Sequence, residues 1–464
     1  MVILGGGPGG YEAALVAAQL GAEVVLVDRD GLGGSAVLTD CVPSKALVAT
    51  ATAVTKVRTG ADLGVLIDGS GPGEHAVTVD LGAVNDRILG LAGAQSEDIR
   101  SRLVREGVQI ITGTGRLASA SRVEVVNADM STITVLDADT VLLATGARPR
   151  ILPTAPPDGE RILTWEQVYG LTSLPERLIV VGSGVTGAEF ASAYDALGSD
   201  VILVSSRDHV LPGEDADAAE VLEGVFARRG ITVMQRSRAT AAERTDDGVV
   251  VTLEDGRTVE GSHVLMAVGS LPNTDGLGLQ DVGVRLTSGG FIDVDRVSRT
   301  SVRSVYAAGD CTGVLMLASV AAMQGRIAMW HALGDAVGPL DLTQVSSTVF
   351  TDPEIASVGQ SERQLQSEGT RYESLLLPLA TNARAKMQGL QDGFVKLLCR
   401  RGSRIVIGGV VVASDASELV HAVTMAVDNR LTVDEVAATF TVYPSLSGSI
   451  AEAARRMHLG ADSD

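Results

Sequence analysis

A chain of 464 residues has room for two to four domains with ample core, and 45% apolar residues with 53 glycines and only 3% aromatics mark a Val/Ala/Leu/Gly-rich α/β protein rather than a disordered or fibrous one. A formal charge of −20 repels phosphate backbones and anionic lipid, which sets aside nucleic acid and membrane surfaces as partners. The three cysteines, Cys41, Cys311 and Cys399, are too scattered for a disulfide scaffold and fit a reducing cytoplasm.

The chain opens on strand, glycine turn and helix. Val2-Ile3-Leu4 reads as a strand, Gly5-Gly6-Gly7-Pro8-Gly9-Gly10 fits G-x-G-x-x-G, residues 11–20 carry helix formers, and residues 23–27 form a second strand ending at Asp28. No basic residue precedes Arg29, and the apolar start is too short for a signal segment. The uncharged stretch 311–325 is shorter than a spanning helix needs, so a cytoplasmic protein without a membrane span is expected. The opening unit repeats about 180 residues later: strand 178–181, turn Gly182-Ser183-Gly184-Val185-Thr186-Gly187, helix 188–197 and strand 201–204. Glycine permits the tight turn and close backbone approach, and the helix N-terminus that follows offers N–H groups to a pyrophosphate. Two such turns, each between strand and helix, predict two Rossmann-like nucleotide-binding units.

A proline-rich stretch, Pro149, Pro153, Pro156 and Pro157, reads as a linker, and Ser288-Gly289-Gly290 as a second break. From about residue 340 the glycine fingerprints cease. Apolar runs such as 405–413 there predict a separate α+β domain.

Aligning the two turns assigns the nucleotides. The residue 18 positions after Gly10 is Asp28, and the residue 18 after Gly187 is Ser205. A carboxylate there accepts from a ribose 2′-hydroxyl and repels a 2′-phosphate. Ser205-Ser206-Arg207 instead offers hydroxyls and a guanidinium, which suits a phosphate. NADPH is therefore expected at the second site in preference to NADH, although Asp208 lies close by.

Residues 33–45, Gly-Gly-Ser-Ala-Val-Leu-Thr-Asp-Cys-Val-Pro-Ser-Lys, resemble the active-site segment of the flavoprotein disulfide reductases, the lipoamide dehydrogenase-like family. Four further segments resemble that family in order: 144–149 (Ala-Thr-Gly-Ala-Arg-Pro), 268–273 (Val-Gly-Ser-Leu-Pro-Asn), 306–310 (Tyr-Ala-Ala-Gly-Asp) and 350–359, which starts at Phe350. The resemblance spans nearly the whole chain. It implies an FAD domain over 1–150 and 273–338, an NAD(P) domain over 151–272, an interface domain over 339–464, and a homodimer. By matching position, Gly5, Gly7 and Gly10 would approach the FAD pyrophosphate, Asp28 its ribose and Asp310 its ribityl chain. Gly34, Thr145 and Gly146 would join that site, and Gly182, Gly184, Gly187 and Gly269 the pyridine nucleotide site. Lys45 corresponds to the family lysine near flavin N5, and Glu189 to its ion-pair partner; no metal is implied.

Three departures point one way. The family's C-x4-C pair has become Ala36 and Cys41, and its His-Pro-x-x-x-Glu segment has become Tyr443-Pro444-Ser445-Leu446-Ser447-Gly448. The interchange thiol, the base and the group that orients the base are all gone. A phenol is poorly matched to take a thiol proton at neutral pH. The hydride half (NAD(P) site, FAD site, Lys45 and Glu189) is intact, so an acceptor that needs no thiol is expected. Among relatives the chain looks most like the quinone reductases of this family that lack the redox dithiol. The expectation is an FAD-dependent NAD(P)H:quinone oxidoreductase, working by a ping-pong route, with Tyr443 of the partner subunit donating to the quinone oxygen. Two other readings use the same hydride half: a soluble pyridine nucleotide transhydrogenase, and a low-turnover redox-sensing flavoprotein. Cys41 is open between a packed relic and a thiol that cycles through sulfenic acid or a mixed disulfide; Cys311 and Cys399 read as small buried hydrophobes.

Overall fold

A computed structural model describes residues 1–66, 77–127 and 133–460. Strand Val2–Leu4 lies at the heart of a seven-stranded sheet, between parallel neighbours Val25–Asp28 and Val141–Leu143. Val305–Ala307 closes one edge, and Gln109–Ser119 leads into an antiparallel extension, Arg122–Asn127 and Ile133–Asp137, at the other. The strands nearest the centre are short and buried on both faces, as parallel strands covered by helices must be. A second sheet repeats the pattern, in the order Thr232–Met234, Asp200–Val204, Arg177–Val181, His263–Met266, Ile162–Leu163. A three-stranded antiparallel meander over residues 239–261 is attached to it. The third unit is a five-stranded antiparallel sheet over residues 346–413 with helices Ala416–Asp428 and Gly448–Gly460. This is the α/β architecture of two Rossmann-like units and an α+β unit that the sequence predicts.

Both repeat helices start earlier than their helix formers imply, at Pro8 and Val185, so the second half of each glycine turn is the first helical turn. Proline at the first helical position needs no N–H partner. The three glycines of each turn do different work. A Cβ on Gly5 would meet the Ala144 carbonyl oxygen at 2.1 Å, and one on Gly10 the Gly5 oxygen at 1.8 Å. In the second turn the same contacts are Gly182 to the Ala267 oxygen at 2.2 Å and Gly187 to the Gly182 oxygen at 1.8 Å. First and third glycines are thus demanded by strand–helix packing. The middle ones are not: a Cβ on Gly7 reaches nothing closer than the Gly34 Cα at 3.9 Å, and on Gly184 nothing within 4 Å.

The proline-rich segment is partly ordered by pairing. Ala147–Pro149 runs antiparallel to Ser270–Pro272, so the two crossings between the large sheets lie side by side. Ser288-Gly289-Gly290 is no break but the tip of a small hairpin, with Leu286 bridged to Ile292 and Gly290 donating to Thr287 O. Helical run Gly34–Leu63 has the length and apolar composition of a membrane span, a feature hidden from the uncharged-stretch criterion by Asp40, Lys45, Lys56, Arg58 and Asp62. Its long helix, Cys41–Arg58, packs one face, with Leu47, Ala51 and Val54 buried, on helices Val185–Leu197 and Leu81–Arg105 and turns Lys45 toward Glu189.

One buried cation ties the second and third units. Lys396 is 3% exposed, and its Nζ lies 2.8 Å from Asp215, 2.5 Å from Asp217 and 3.1 Å from Glu362. Removing one member of a buried ionic cluster leaves uncompensated charge. Lys396→Met is therefore expected to cost about 3 kcal/mol in denaturant unfolding. The glycine geometry gives a sharper contrast. Gly10→Ala forces a backbone collision and is expected to prevent folding, whereas Gly7→Ala, with φ at −69°, is expected to fold and to match the parent in circular dichroism.

Candidate active site

The carboxyl ends of both parallel sheets carry the glycine turns, where strand topology leaves a crevice for ligands. Helix Pro8–Gln19 is capped by Gly7 and helix Val185–Leu197 by Gly184, neither with a side-chain cap, so their leading N–H groups stay open to a ligand. The open space at both middle glycines is the room a pyrophosphate needs beside those N–H groups. The residues present therefore fit two dinucleotides.

Asp28 holds the first turn. Its Oδ2 accepts from Gly6 N at 2.7 Å, and its Oδ1 from Gly31 N at 2.6 Å and Asp30 N at 3.0 Å. Ser205 does the same job in the second unit by other chemistry: its hydroxyl is fully buried and bonds Ser183 Oγ at 2.7 Å, while accepting from Arg207 N at 3.1 Å. The expectation that Ser205 offers a hydroxyl to a phosphate is corrected by that burial. Ser206 and Arg207 are exposed, and among the described residues nothing bonds the Arg207 guanidinium. Arg236, from the next strand end, pairs with Asp208 at 2.5 Å.

Thr145 and Gly146 lie where the chain leaves the first sheet. Thr145 Oγ1 donates to Asn273 O at 2.7 Å, and Asn273 N donates to Gly146 O at 3.0 Å. Gly146 and Gly269 have φ of +68° and +96° and open space at Cβ; Gly34, at +57°, sits against Gly7, where a Cβ would come within 2.8 Å of the Gly7 Cα. Asp310 opens a short turn at the end of strand Val305–Ala307, with no donor to it among the described residues. Burial, and then the nearby Asp40 carboxylate, push its carboxyl up to about 6.

Lys45 and Glu189 meet as the sequence predicts. Lys45 Nζ is 2.7 Å from Glu189 Oε2 and 5.0 Å from the centre of the Phe350 ring. Burial works against the ammonium, but the Glu189 charge and hydrogen bond outweigh it and hold Lys45 above the usual lysine range. Glu189 Oε1 also accepts from Phe350 N at 2.9 Å. That third member was not singled out from the sequence, because a backbone amide has no sequence signature. Asp40 is a further acid of this site, without a family motif to mark it. It precedes Cys41 and occupies a helix N-cap without capping it, and burial raises its carboxyl. A lone acid inside the apolar run before Pro-Ser-Lys was the available signal.

Cys41 is a thiol without a partner; all three cysteines are free. Burial, and then the Asp40 carboxylate, push it up to about 12, so the thiolate needed for nucleophilic or redox work is not formed at neutral pH. Cys311 and Cys399 are fully buried. Tyr443 is 86% exposed, and no hydrogen bond joins it to Lys45, Glu189 or Cys41 of its own chain.

Comparison with known proteins agrees with this geometry. The pyridine nucleotide-disulphide oxidoreductase profile matches residues 1–325, and the dimerisation domain of that family matches residues 345–454. A Mycobacterium tuberculosis protein named NAD(P)H dehydrogenase (quinone) is 55% identical over 100% of this chain and 95% of its own length. Dihydrolipoyl dehydrogenase of Geobacillus stearothermophilus is 32% identical over 99% of this chain and 96% of its own. Among solved structures, LpdA of M. tuberculosis superimposes with a TM-score of 0.93 at 54% identity, covering 98% of this chain and 99% of that one. The HOCl-induced flavoprotein disulfide reductase RclA of Escherichia coli, at 22% identity, shares the fold with a TM-score of 0.86 over 98% and 99% of the two chains. Two glycine turns of one geometry, the Lys45–Glu189 pair between them and these matches over nearly the whole length establish that the chain belongs to the pyridine nucleotide-disulphide oxidoreductase family.

Proposed function

We propose that this protein is an FAD-dependent NAD(P)H:quinone oxidoreductase that prefers NADPH and does not reduce disulfides. One observation carries the reading. The Lys45–Glu189 pair is intact, while the thiol beside it stands alone and protonated, with Ala36 where the family has its second sulfur. Dithiol exchange needs two sulfurs and a base, and here all but one sulfur are absent. A flat, electrophilic acceptor needs none of them. The M. tuberculosis relative carries the same activity in its name.

When bound, FAD supplies the two-electron carrier between the nicotinamide and the acceptor. The chain's residues do the rest. Gly7 and Gly184, with their helix N-termini, receive the two pyrophosphates, Asp28 the adenosine ribose and Asp310 the ribityl chain. Lys45, kept cationic by Glu189, sets the charge beside the reacting ring. Cys41 packs as an uncharged thiol, leaving the acceptor face free of sulfur anions. Ser206 and Arg207 recognise the 2′-phosphate. We assign the boundaries 1–150, 151–272, 273–338 and 339–464 to the FAD, NAD(P), second FAD and interface segments; the paired crossings Ala147–Pro149 and Ser270–Pro272 support the division. The dimerisation profile supports a homodimer, in which Tyr443 of the partner subunit donates to the quinone oxygen. We place the enzyme in the cytoplasm, in keeping with its three free cysteines.

NADPH oxidation by the purified yellow protein, run in parallel with menadione and with lipoamide, tests the reading. Fast menadione turnover with no lipoamide reduction is expected; comparable lipoamide reduction overturns it. Lys45→Met is expected to slow flavin bleaching by NADPH roughly tenfold or more in stopped flow, a rise of about 1.4 kcal/mol in the barrier. Cys41→Ser should leave quinone turnover unchanged, while Tyr443→Phe should lower it by about tenfold or more without changing flavin bleaching.

A further inference from the structure

We propose that Arg236 is a positioning residue for coenzyme choice: it neutralises Asp208, so that Arg207 faces the 2′-phosphate of NADPH as an uncancelled positive charge. The inference rests on the NADPH reading above and explains how that reading survives an acid one residue from Arg207.

Strands Asp200–Val204 and Thr232–Met234 are parallel neighbours, in register with Val204 opposite Met234. Their exits are stitched together. Ser205 N donates to Met234 O at 2.9 Å, Ser237 N to Ser205 O at 2.7 Å, and Arg236 N to Arg207 O at 3.0 Å. The two loops therefore form one platform at the carboxyl end of the sheet, where the adenosine ribose of a dinucleotide lies. From this platform Arg236 Nε reaches Asp208 Oδ1 at 2.5 Å. The two side chains are 80% and 64% exposed, so the pair adds little to stability. Arg236 also holds a left-handed φ of +51°, which costs a residue other than glycine rather than helping the fold. A pair worth so little to folding, held at a backbone cost beside a ligand site, calls for another reason.

The charge balance supplies it. The neighbouring acid Glu223 turns inward: its Oε1 accepts from Val210 N at 2.7 Å and from Gln235 at 3.2 Å, and His209 lies 3.5 Å from its Oε2. Arg238 lies 3.8 Å from Glu254. Asp208 is the acid next to Arg207 in the chain, and Arg236 occupies it. Among the described residues the Arg207 guanidinium is left with no acid, on a chain of net charge −20. Bringing a dianionic phosphate to this spot against an unpaired Asp208 would be repulsive; against Asp208 paired with Arg236 it is not.

The test is equilibrium binding of 2′,5′-ADP and of 5′-AMP to the holoenzyme by calorimetry, since the two probes differ only in the 2′-phosphate. The parent is expected to select 2′,5′-ADP. Arg236→Asn keeps a residue that tolerates the left-handed backbone, and it should weaken 2′,5′-ADP roughly 3- to 10-fold while leaving 5′-AMP, Tm and the flavin spectrum unchanged. Adding Asp208→Asn should restore the selectivity, because the acid that Arg236 offsets is then gone, and Arg236→Lys should retain it. Unchanged selectivity in Arg236→Asn overturns the inference. So does a double variant that stays weak, which would make Arg236 a direct phosphate contact. A parent that binds both probes equally overturns the NADPH reading itself, while menadione turnover would still stand.

Discussion

Glu189 is 3% exposed, and each of its carboxylate oxygens is claimed by a different part of the chain. One accepts from Lys45, on the helix that follows the lone cysteine; the other accepts from the amide of Phe350, at the start of the third unit. A buried carboxylate is tolerated only when its charge is paired and its lone pairs are taken. That requirement makes Glu189 a joint: helix Cys41–Arg58, helix Val185–Leu197 and the C-terminal unit must meet for its burial to be tolerated. It also holds Lys45 charged where a hydride carrier would need a cation, so the same constraint serves fold and chemistry.

Around this joint the two Rossmann-like units repeat one backbone device. At the first and third glycines of each turn a Cβ would collide with backbone oxygen at distances that differ by no more than 0.1 Å between the repeats. The residue at the strand end stabilises the turn in both, through Asp28 to a backbone amide in one and Ser205 to a hydroxyl in the other. Those two residues differ in charge, and on the proposed reading that difference carries forward to the ribose. A carboxylate at that point favours a free 2′-hydroxyl, whereas a buried neutral serine leaves the choice to the exposed residues that follow it.

Around Cys41 the frame keeps the shape of a disulfide reductase while its electrostatics are those of an inert pocket. The cysteine begins a helix, which would ordinarily favour a thiolate, but burial and Asp40 dominate and keep the proton on sulfur. Losing the second sulfur and the base removes the reason to ionise the first. What remains is a hydride-handling half that can serve an acceptor needing no sulfur.

The sequence by itself determined the class of fold and, through its family motifs, the loss of the dithiol machinery. The period of strand, glycine turn and helix, repeated with matched spacing, is a local property, and so are the missing thiol at position 36 and the Tyr443-Pro444 substitution. Lys45 and Glu189 were legible only because the family motif names them; their 2.7 Å contact joins residues 144 positions apart. What only the tertiary structure decided are the facts that depend on burial and on distant partners. Ser205 turns inward to Ser183, Phe350 lends its amide, Lys396 gathers three acids from two segments, and Arg236 reaches Asp208 from a neighbouring strand. None of these has a spacing rule, because sheet register and domain contact set them, and a hydroxyl or guanidinium reads the same in sequence whether it faces a ligand or its own chain.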